Sequence, residues 1–184
     1  MDVQELRPGL WRWTARHPEW EDREVSSAYL EVPGAVCLVD PLLPGGEEVG
    51  FFEALDRDVE RLGLPVAVVL TCPWHRRSAD ELAERYGGTI HNAMDDGLPG
   101  GLAAYPGGMQ PEDFVLHAPS HRALFTGDTI VDGALCPEDW LAEGRAHQIA
   151  CLRRVHELDA ELVVAAHGEP FPVSQLADAL HDYT

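Results

Sequence analysis

The 184-residue chain contains no lysine. All 13 of its basic residues are arginines, and they are outnumbered by 32 acidic residues. The resulting net charge of −19 repels a polyanion, and no basic stripe stands out to overcome it. We therefore expect no nucleic-acid partner.

Long apolar runs are also missing. No stretch approaches the roughly 20 residues that a membrane-spanning helix needs, so we expect no membrane partner. Residues 1–5 lack the basic and apolar regions of a secretory signal, which predicts a cytoplasmic location. The four cysteines show no CxxC spacing and are interpreted as reduced thiols: Cys37, Cys72, Cys136 and Cys151.

Several catalytic motifs are absent as well. The sequence has no G-x-S-x-G, no phosphate-binding glycine loop and no H-E-x-x-H. Serine-hydrolase, nucleotide-binding and zincin functions therefore have no support.

The apolar pattern predicts one domain over residues 1–184, with strands followed by alternating helices and strands. Helices are expected over residues 46–62, 78–86 and 140–158 and from about residue 173; strands are expected over residues 10–14, 25–32, 35–40, 65–70, 113–117, 122–125 and 162–166. Ser78 and Glu81 form a candidate capping box. His117 and His121 flank a hairpin turn and are expected to be exposed. This order is typical of two packed sheets with helices outside, an α/β (α+β) fold with four αββα layers.

Four segments, taken in order, resemble the metallo-β-lactamase superfamily. Residues 35–41 resemble its second strand end with Asp40, and residues 68–71 run into the place of its T-H-x-H-x-D-H motif. Residues 124–128 resemble the strand end that carries the bridging carboxylate, here Asp128. Residues 163–170 match the element that donates the last histidine, here His167. The resemblance implies the four-layer fold and, in an intact member, two zinc ions that activate water.

The sequence departs from the family at most ligand positions. Cys72, Trp74, Arg76 and Arg77 stand where the T-H-x-H-x-D-H motif has its ligands. Gly108 stands where a P-G-H element has its histidine. Asp128 and His167 alone remain of the seven-residue pattern, and His75 falls at a position that the family leaves non-coordinating.

Three interpretations of this altered site follow. In the first, Arg76 or Arg77 pairs with Asp128 and supplies the charge that zinc would have supplied. In the second, Cys72, Asp128 and His167, with or without His75, hold one zinc, iron or manganese ion. In the third, the two arginines receive a small anion before a helix N-terminus.

Aromatic residues add candidates for a ligand pocket. Trp11, Trp13, Trp20 and Trp74 are each candidates to line one, although core packing is the stronger expectation for Trp11 and Trp13. Two function classes result. One is a protein without metal-dependent hydrolysis that binds a small molecule or a partner. The alternative is a hydrolase of a small ester, thioester or lactone that uses a single metal.

Overall fold

Two β-sheets face each other in the computed structural model, which describes residues 2–20 and 23–181. The first sheet has six strands in the spatial order of the sequence. Its members are β1 (Asp2–Arg7), β2 (Leu10–Arg16), β3 (Glu24–Val32), β4 (Ala35–Val39), β5 (Val66–Leu70) and β6 (Thr89–Asn92). Strands β1 to β4 are antiparallel neighbours, whereas β4, β5 and β6 run parallel. The hairpin predicted over residues 25–40 is confirmed.

The second sheet and a separate hairpin come from the second half of the chain. In chain order these strands are β7 (Ala103–Pro106), β8 (Phe114–Ala118), β9 (Ala123–Phe125), β10 (Ile130–Val131), β11 (Ala134–Leu135), β12 (Leu162–Val164) and β13 (Phe171–Pro172). The sheet has the spatial order β13-β12-β9-β8-β7, with β9 and β12 parallel, while β10 and β11 form a separate two-stranded hairpin. The β8–β9 pair confirms the predicted hairpin around residues 119–121.

Four helices cover the outer faces of the sheets: α1 (Glu48–Leu62), α2 (Ala79–Tyr86), α3 (Arg145–His156) and α4 (Val173–His181). One apolar cluster lies between the sheets, a second joins the first sheet to α1 and α2, and a third joins the second sheet to α3 and α4. The layers are therefore helix, sheet, sheet, helix. The predicted αββα sandwich is confirmed.

The prediction of a helix over residues 140–158 was wrong at its start. Trp140 ends a short 3-10 turn, Glu138–Trp140, and α3 begins only at Arg145. Gly144 precedes the helix with φ 80°, a left-handed conformation that interrupts a continuous helix. Trp140 is thereby placed in the loop region beside the candidate site.

The predicted capping box at α2 was also wrong. Ser78 occupies the N-cap position but makes no side-chain capping bond. Its Oγ instead accepts a hydrogen bond from the backbone N–H of Leu43 at 3.0 Å, which ties the loop after β4 to this helix.

His117 and His121 are buried rather than exposed, which corrects the expectation from the sequence. Each imidazole Nε2 contacts a backbone carbonyl oxygen, that of Asp159 at 3.1 Å for His117 and that of Glu31 at 2.9 Å for His121. Such partners offset the cost of burying a polar ring. Within the described part of the chain, no helix has the length and apolar character required to cross a bilayer.

Candidate functional site

The candidate site lies where parallel strands of both sheets end. Asp40 follows β4, and Thr71 and Cys72 follow β5. Asp128 follows β9 by three residues and His167 follows β12 by three residues. The carboxyl ends of parallel strands meet at one edge of a sheet, so residues distant in sequence converge there.

The carboxylate of Asp40 is held in place by hydrogen bonds within the site. Asp40 is buried and has φ 47°, an uncommon backbone conformation for a residue other than glycine. Thr71 holds its carboxylate with the backbone N–H at 2.8 Å and with the Oγ1 hydroxyl at 2.6 Å. Arg77 donates to the backbone carbonyl of Asp40 at 3.1 Å.

His75 stands between the two acidic side chains of the site. Its Nδ1 lies 3.0 Å from Oδ2 of Asp40, and its Nε2 lies 3.1 Å from Oδ1 of Asp128. Burial alone would lower the pKa of His75, but the carboxylate of Asp40, together with Asp128, more than offsets this and raises the pKa well above 6.5. Both carboxylates therefore favour the protonated form of the buried ring.

Asp128 is surrounded by three ring systems. Trp74 donates its indole N–H to Oδ2 at 2.8 Å, and His167 Nε2 lies 3.4 Å from Oδ1. Burial opposes ionisation, but His167, His75 and Trp74 together hold the pKa of Asp128 well below its usual range. Oδ1 is within ion-pair distance of both histidines, yet Oδ1 and His167 Nε2 are buried without a hydrogen-bond partner among the described residues.

The arginines do not play the role that the sequence suggested. Arg76 is exposed and donates to Asp80 at 2.8 Å, one helical turn further on. Arg77 is turned inward, but it bonds the carbonyl of Asp40 rather than the carboxylate of Asp128. The predicted pairing of Arg76 or Arg77 with Asp128 is therefore wrong, because His75 occupies that place. The family pattern did not point to His75, since it is one residue beyond the position of the second histidine.

Gly108 packs against helix α3. It has φ 82°, and a Cβ there would lie 2.7 Å from the Cα of Gln148 in α3. It lines a neighbouring cavity of about 320 Å³ with His147 and Cys151. Helix α3 thus occupies the space that a ligand side chain at this position would need.

A metal ion of the kind that the fold family implies was tested against these residues. Ligand atoms of Cys72, His75 and Asp128 lie within 4.8 Å of one another, a spacing that suits one ion. However, both nitrogens of His75 face carboxylates, and burial raises the pKa of the Cys72 thiol to about 11. The buried Arg77 adds a fixed positive charge that acts on Asp40, Cys72 and Asp128. A dinuclear centre does not fit these residues. A single ion would have to compete with the proton of the Cys72 thiol and with the contacts of His75 to Asp40 and Asp128.

An open pocket of about 480 Å³ lies above Asp128. Three of its six lining residues are tryptophans, and the full lining comprises Trp20, Trp74, Met109, Gln110, Asp128 and Trp140. Trp20 stacks on His167, with ring centroids 5.5 Å apart and planes 12° apart, and its centroid is 6.5 Å from that of Trp140. Trp20 and Trp74 were expected to be pocket candidates, whereas Trp140 was missed because it was assigned to a helix.

Trp11 and Trp13 lie elsewhere. They line a separate groove of about 260 Å³ between the first sheet and α1. Trp13 is buried and packs against Phe51, with ring centroids 5.2 Å apart. Trp13 is thus a core residue, in agreement with the stronger expectation, whereas Trp11 is half-buried, and both line a groove as the other expectation had it.

Asp113 is a further acidic residue that the sequence did not single out. It is fully buried, and its Oδ2 accepts a hydrogen bond from Thr129 at 2.6 Å. Burial raises the pKa of this carboxyl to about 7, with the nearby charge of Asp128 acting in the same direction. Asp113 directly precedes β8, and no motif in the sequence distinguishes it from other residues at strand ends.

Comparison with solved structures identifies the architecture. A metallo-β-lactamase from Hirschia baltica is 16% identical with a TM-score of 0.67, and the match covers 98% of this chain and 96% of that one. A metallo-β-lactamase from Erythrobacter litoralis is 14% identical, with a TM-score of 0.64 and coverages of 98% and 92%. The B3 metallo-β-lactamase BLEG-1 is 16% identical, with a TM-score of 0.65 and coverages of 91% and 96%. No family model and no curated protein matches the sequence.

This chain therefore has the metallo-β-lactamase fold, over nearly its whole length, as the four sequence segments predicted. At these identities the likeness concerns the fold alone, and a fold supports many chemistries. The function depends on the side chains at the carboxyl edge of the sheets.

Proposed function

We propose that this protein binds a small molecule in the pocket above Asp128 and does not carry out metal-dependent hydrolysis. The observation that carries the proposal is the position of His75, whose two ring nitrogens lie 3.0 Å from Asp40 and 3.1 Å from Asp128. The imidazolium takes the central place between the carboxylates that a metal would otherwise share.

The charges of the site support this proposal. Asp40 and Asp128 bring two negative charges, and His75 and Arg77 bring two positive ones, so the group is balanced without an added cation. A dication entering this buried site would meet both positive charges at low effective dielectric, where repulsion is strong. The arrangement therefore favours a site that is stable without metal.

The pocket supports the binding role. Its volume of about 480 Å³ falls in the range of small-molecule sites, and its walls are largely aromatic with few polar groups. Trp20 and Trp74 keep 42% and 43% of their surface exposed, which leaves indole faces available to a ligand.

The test of this proposal is a hydrolysis assay on the substrate classes of the fold family. Purified protein is incubated with a simple ester, a thioester, a lactone and a β-lactam, with and without added zinc. We expect no turnover above that of an Asp128→Asn variant under either condition. Turnover that depends on zinc and is lost in Asp128→Asn would overturn the proposal.

A second candidate function is favoured by one observation, the cluster of Cys72, His75 and Asp128 within 4.8 Å, beside Nε2 of His167, which is buried without a hydrogen-bond partner among the residues that the structure describes. Here the protein is a hydrolase of a small ester, thioester or lactone. Asp128, His167 and Cys72 would hold one zinc, iron or manganese ion, and this ion would supply an activated water.

Metal content separates the two candidates. Protein purified without chelators is analysed by mass spectrometry, beside a Cys72→Ser variant. The first candidate predicts less than about a tenth of an equivalent of any transition metal in both proteins. The second predicts about one equivalent in the wild-type protein and a clear loss in Cys72→Ser.

A further inference from the structure

The pocket above Asp128 has a chemical character that narrows its ligand. Three indoles surround it, with Trp20 and Trp140 on adjoining sides at a centroid distance of 6.5 Å and planes inclined by 54°. Trp74 is anchored by its N–H bond to Asp128. The chain has five tryptophans, and three of them line this one pocket.

The faces of these rings are electron-rich. An indole ring carries partial negative charge on its face and is the best of the aromatic side chains at attracting a cation. Trp74 donates its N–H to a carboxylate at 2.8 Å, and such a bond polarises the ring and strengthens this character. Trp20 stacks on His167 with one face and keeps 42% of its surface exposed.

The charges around the pocket also favour a cation. Asp128 is the one charged residue among the six that line it, and its Oδ1 is buried without a hydrogen-bond partner in the described part of the chain. The net charge of −19 adds a field that draws in cations.

Other ligand classes match the pocket less well. An anion would lie against Asp128 and against three electron-rich rings. Arg76, one of the two arginines expected to receive an anion, is paired with Asp80 on the surface. A polyol needs several free polar groups, but the amide of Gln110 already donates to the carbonyl of Trp140 at 2.6 Å.

We propose that Trp20, Trp74 and Trp140 form an aromatic cage for a small organic cation that carries an alkylated ammonium group, with Asp128 beneath it. This inference rests on the proposed function, because a metal at Asp128 would place a dication beside the ligand. It names the ligand class of the same site.

The experiment uses three probes on the full chain, followed by tryptophan fluorescence and calorimetry. Two are cations, tetramethylammonium and choline. The third is the neutral alcohol in which a tert-butyl group replaces the trimethylammonium group of choline. Choline and this alcohol have matched shapes, so the difference between their affinities reports the effect of the charge. We expect choline to bind at least about tenfold more tightly than the alcohol.

Variants test the location. Trp20→Leu and Trp140→Leu remove two cage walls and are expected to weaken choline binding about tenfold each. Trp11→Leu is the matched control, since Trp11 lines the separate groove against α1, and it should bind choline like the wild-type protein. Thermal unfolding of each variant verifies that it is folded.

Each outcome has a distinct meaning. Equal binding of choline and the alcohol would overturn the cation assignment, while the proposed metal-free binding function would stand. Absence of binding by both cations, or loss of binding in Trp11→Leu alone, would also overturn the cage. Failure of the underlying function has its own readout, which is about one equivalent of bound metal in the purified protein.

Discussion

At the scale of single residues, His75 is the group on which the site depends. It is buried, and both of its nitrogens contact carboxylates. Removing one member of a buried ion pair lowers the stability of the protein by more than the pair itself contributes. The remaining charges then stay buried without a partner of opposite sign. The ring therefore stabilises the fold as well as defining the site.

A His75→Gln variant should be less stable than the wild-type protein by about 3 kcal/mol. The pKa of His75 is raised on folding, so its contribution is full below pH 6.5 and is lost as the pH rises through the higher folded value. The deficit of the variant should therefore be larger near pH 6 than near pH 9. Urea unfolding at both pH values measures it, with His156→Gln as a control; an equal deficit at both would contradict a buried imidazolium.

Asp113 predicts a second loss of stability with rising pH, but here the substitution is expected to stabilise the protein. Its pKa rises from an ordinary 3.8 to about 7 on folding, so the stability it contributes is present below pH 3.8 and is lost as the pH rises through 7. An Asp113→Asn variant has no carboxyl group at this position, so this loss of stability does not occur in it. The variant should gain stability relative to the wild-type protein between those pH values, by at most about 1.4 kcal/mol per pH unit. Unfolding curves at several pH values check this, and a constant difference would show that Asp113 keeps an ordinary pKa.

At the scale of elements, the approach of α3 closes one part of the site. Gly108 packs against this helix so tightly that an added Cβ would lie 2.7 Å from the Cα of Gln148. The family's ligand histidine therefore has no room at this position. The absence of that histidine and the close packing of α3 against Gly108 therefore go together.

Substitution of glycines separates this contact from backbone strain. Gly101 has φ 77° with no atom within 4 Å of an added Cβ, so Gly101→Ala should cost about 1 kcal/mol for the left-handed conformation alone. Gly108→Ala, at φ 82°, should cost at least about 1 kcal/mol more, because Gln148 must shift. Thermal unfolding compares the two. Equal losses would show that α3 yields freely and that position 108 retains space for a side chain.

The elements themselves were largely predictable from the sequence, and the reason is local. The hairpin over residues 25–40 and the buried strand β5 follow from alternation, apolar runs and a Pro-Gly turn. The helix expected at residue 140 failed because a pattern of apolar residues cannot reveal that Gly144 adopts φ 80°. Strand β1 was missed since its residues are mostly exposed and polar.

The site was less predictable than the fold. Asp40, Asp128 and His167 were found because the segments that carry them resemble the metallo-β-lactamase superfamily. The position of His75 depends on the 3-10 turn Pro73–His75, which turns this side chain inward and leaves Trp74 at the surface. The direction of a side chain within a short turn is set by tertiary contacts. The spacing of the motif therefore favoured Arg76 or Arg77 as the partner of Asp128, whereas His75 lies there.

At the scale of the whole molecule, the strongest feature is the excess of acidic residues. The net charge of −19 is spread over a chain of 184 residues, and most of its arginine–carboxylate pairs are exposed. Exposed pairs contribute little, whereas the overall repulsion between carboxylates opposes the compact state.

We therefore expect the free energy of unfolding to rise when salt screens this repulsion. The Debye length falls from about 30 Å at 0.01 M to about 3 Å at 1 M salt, so the urea midpoint should increase over that range. Sodium chloride and potassium chloride should act alike, since screening does not depend on the cation. A midpoint that falls with salt would mean that the surface ion pairs outweigh the net repulsion.

The charge state of His75 tests the central claim most directly. Nitrogen NMR of the histidine side chains near pH 8, before and after one equivalent of zinc, reports whether each ring nitrogen carries a proton. We predict that both nitrogens of His75 are protonated and that zinc leaves their signals unchanged, because Asp40 and Asp128 hold the ring as an imidazolium. A neutral His75 ring whose unprotonated nitrogen shifts on addition of zinc would contradict this account.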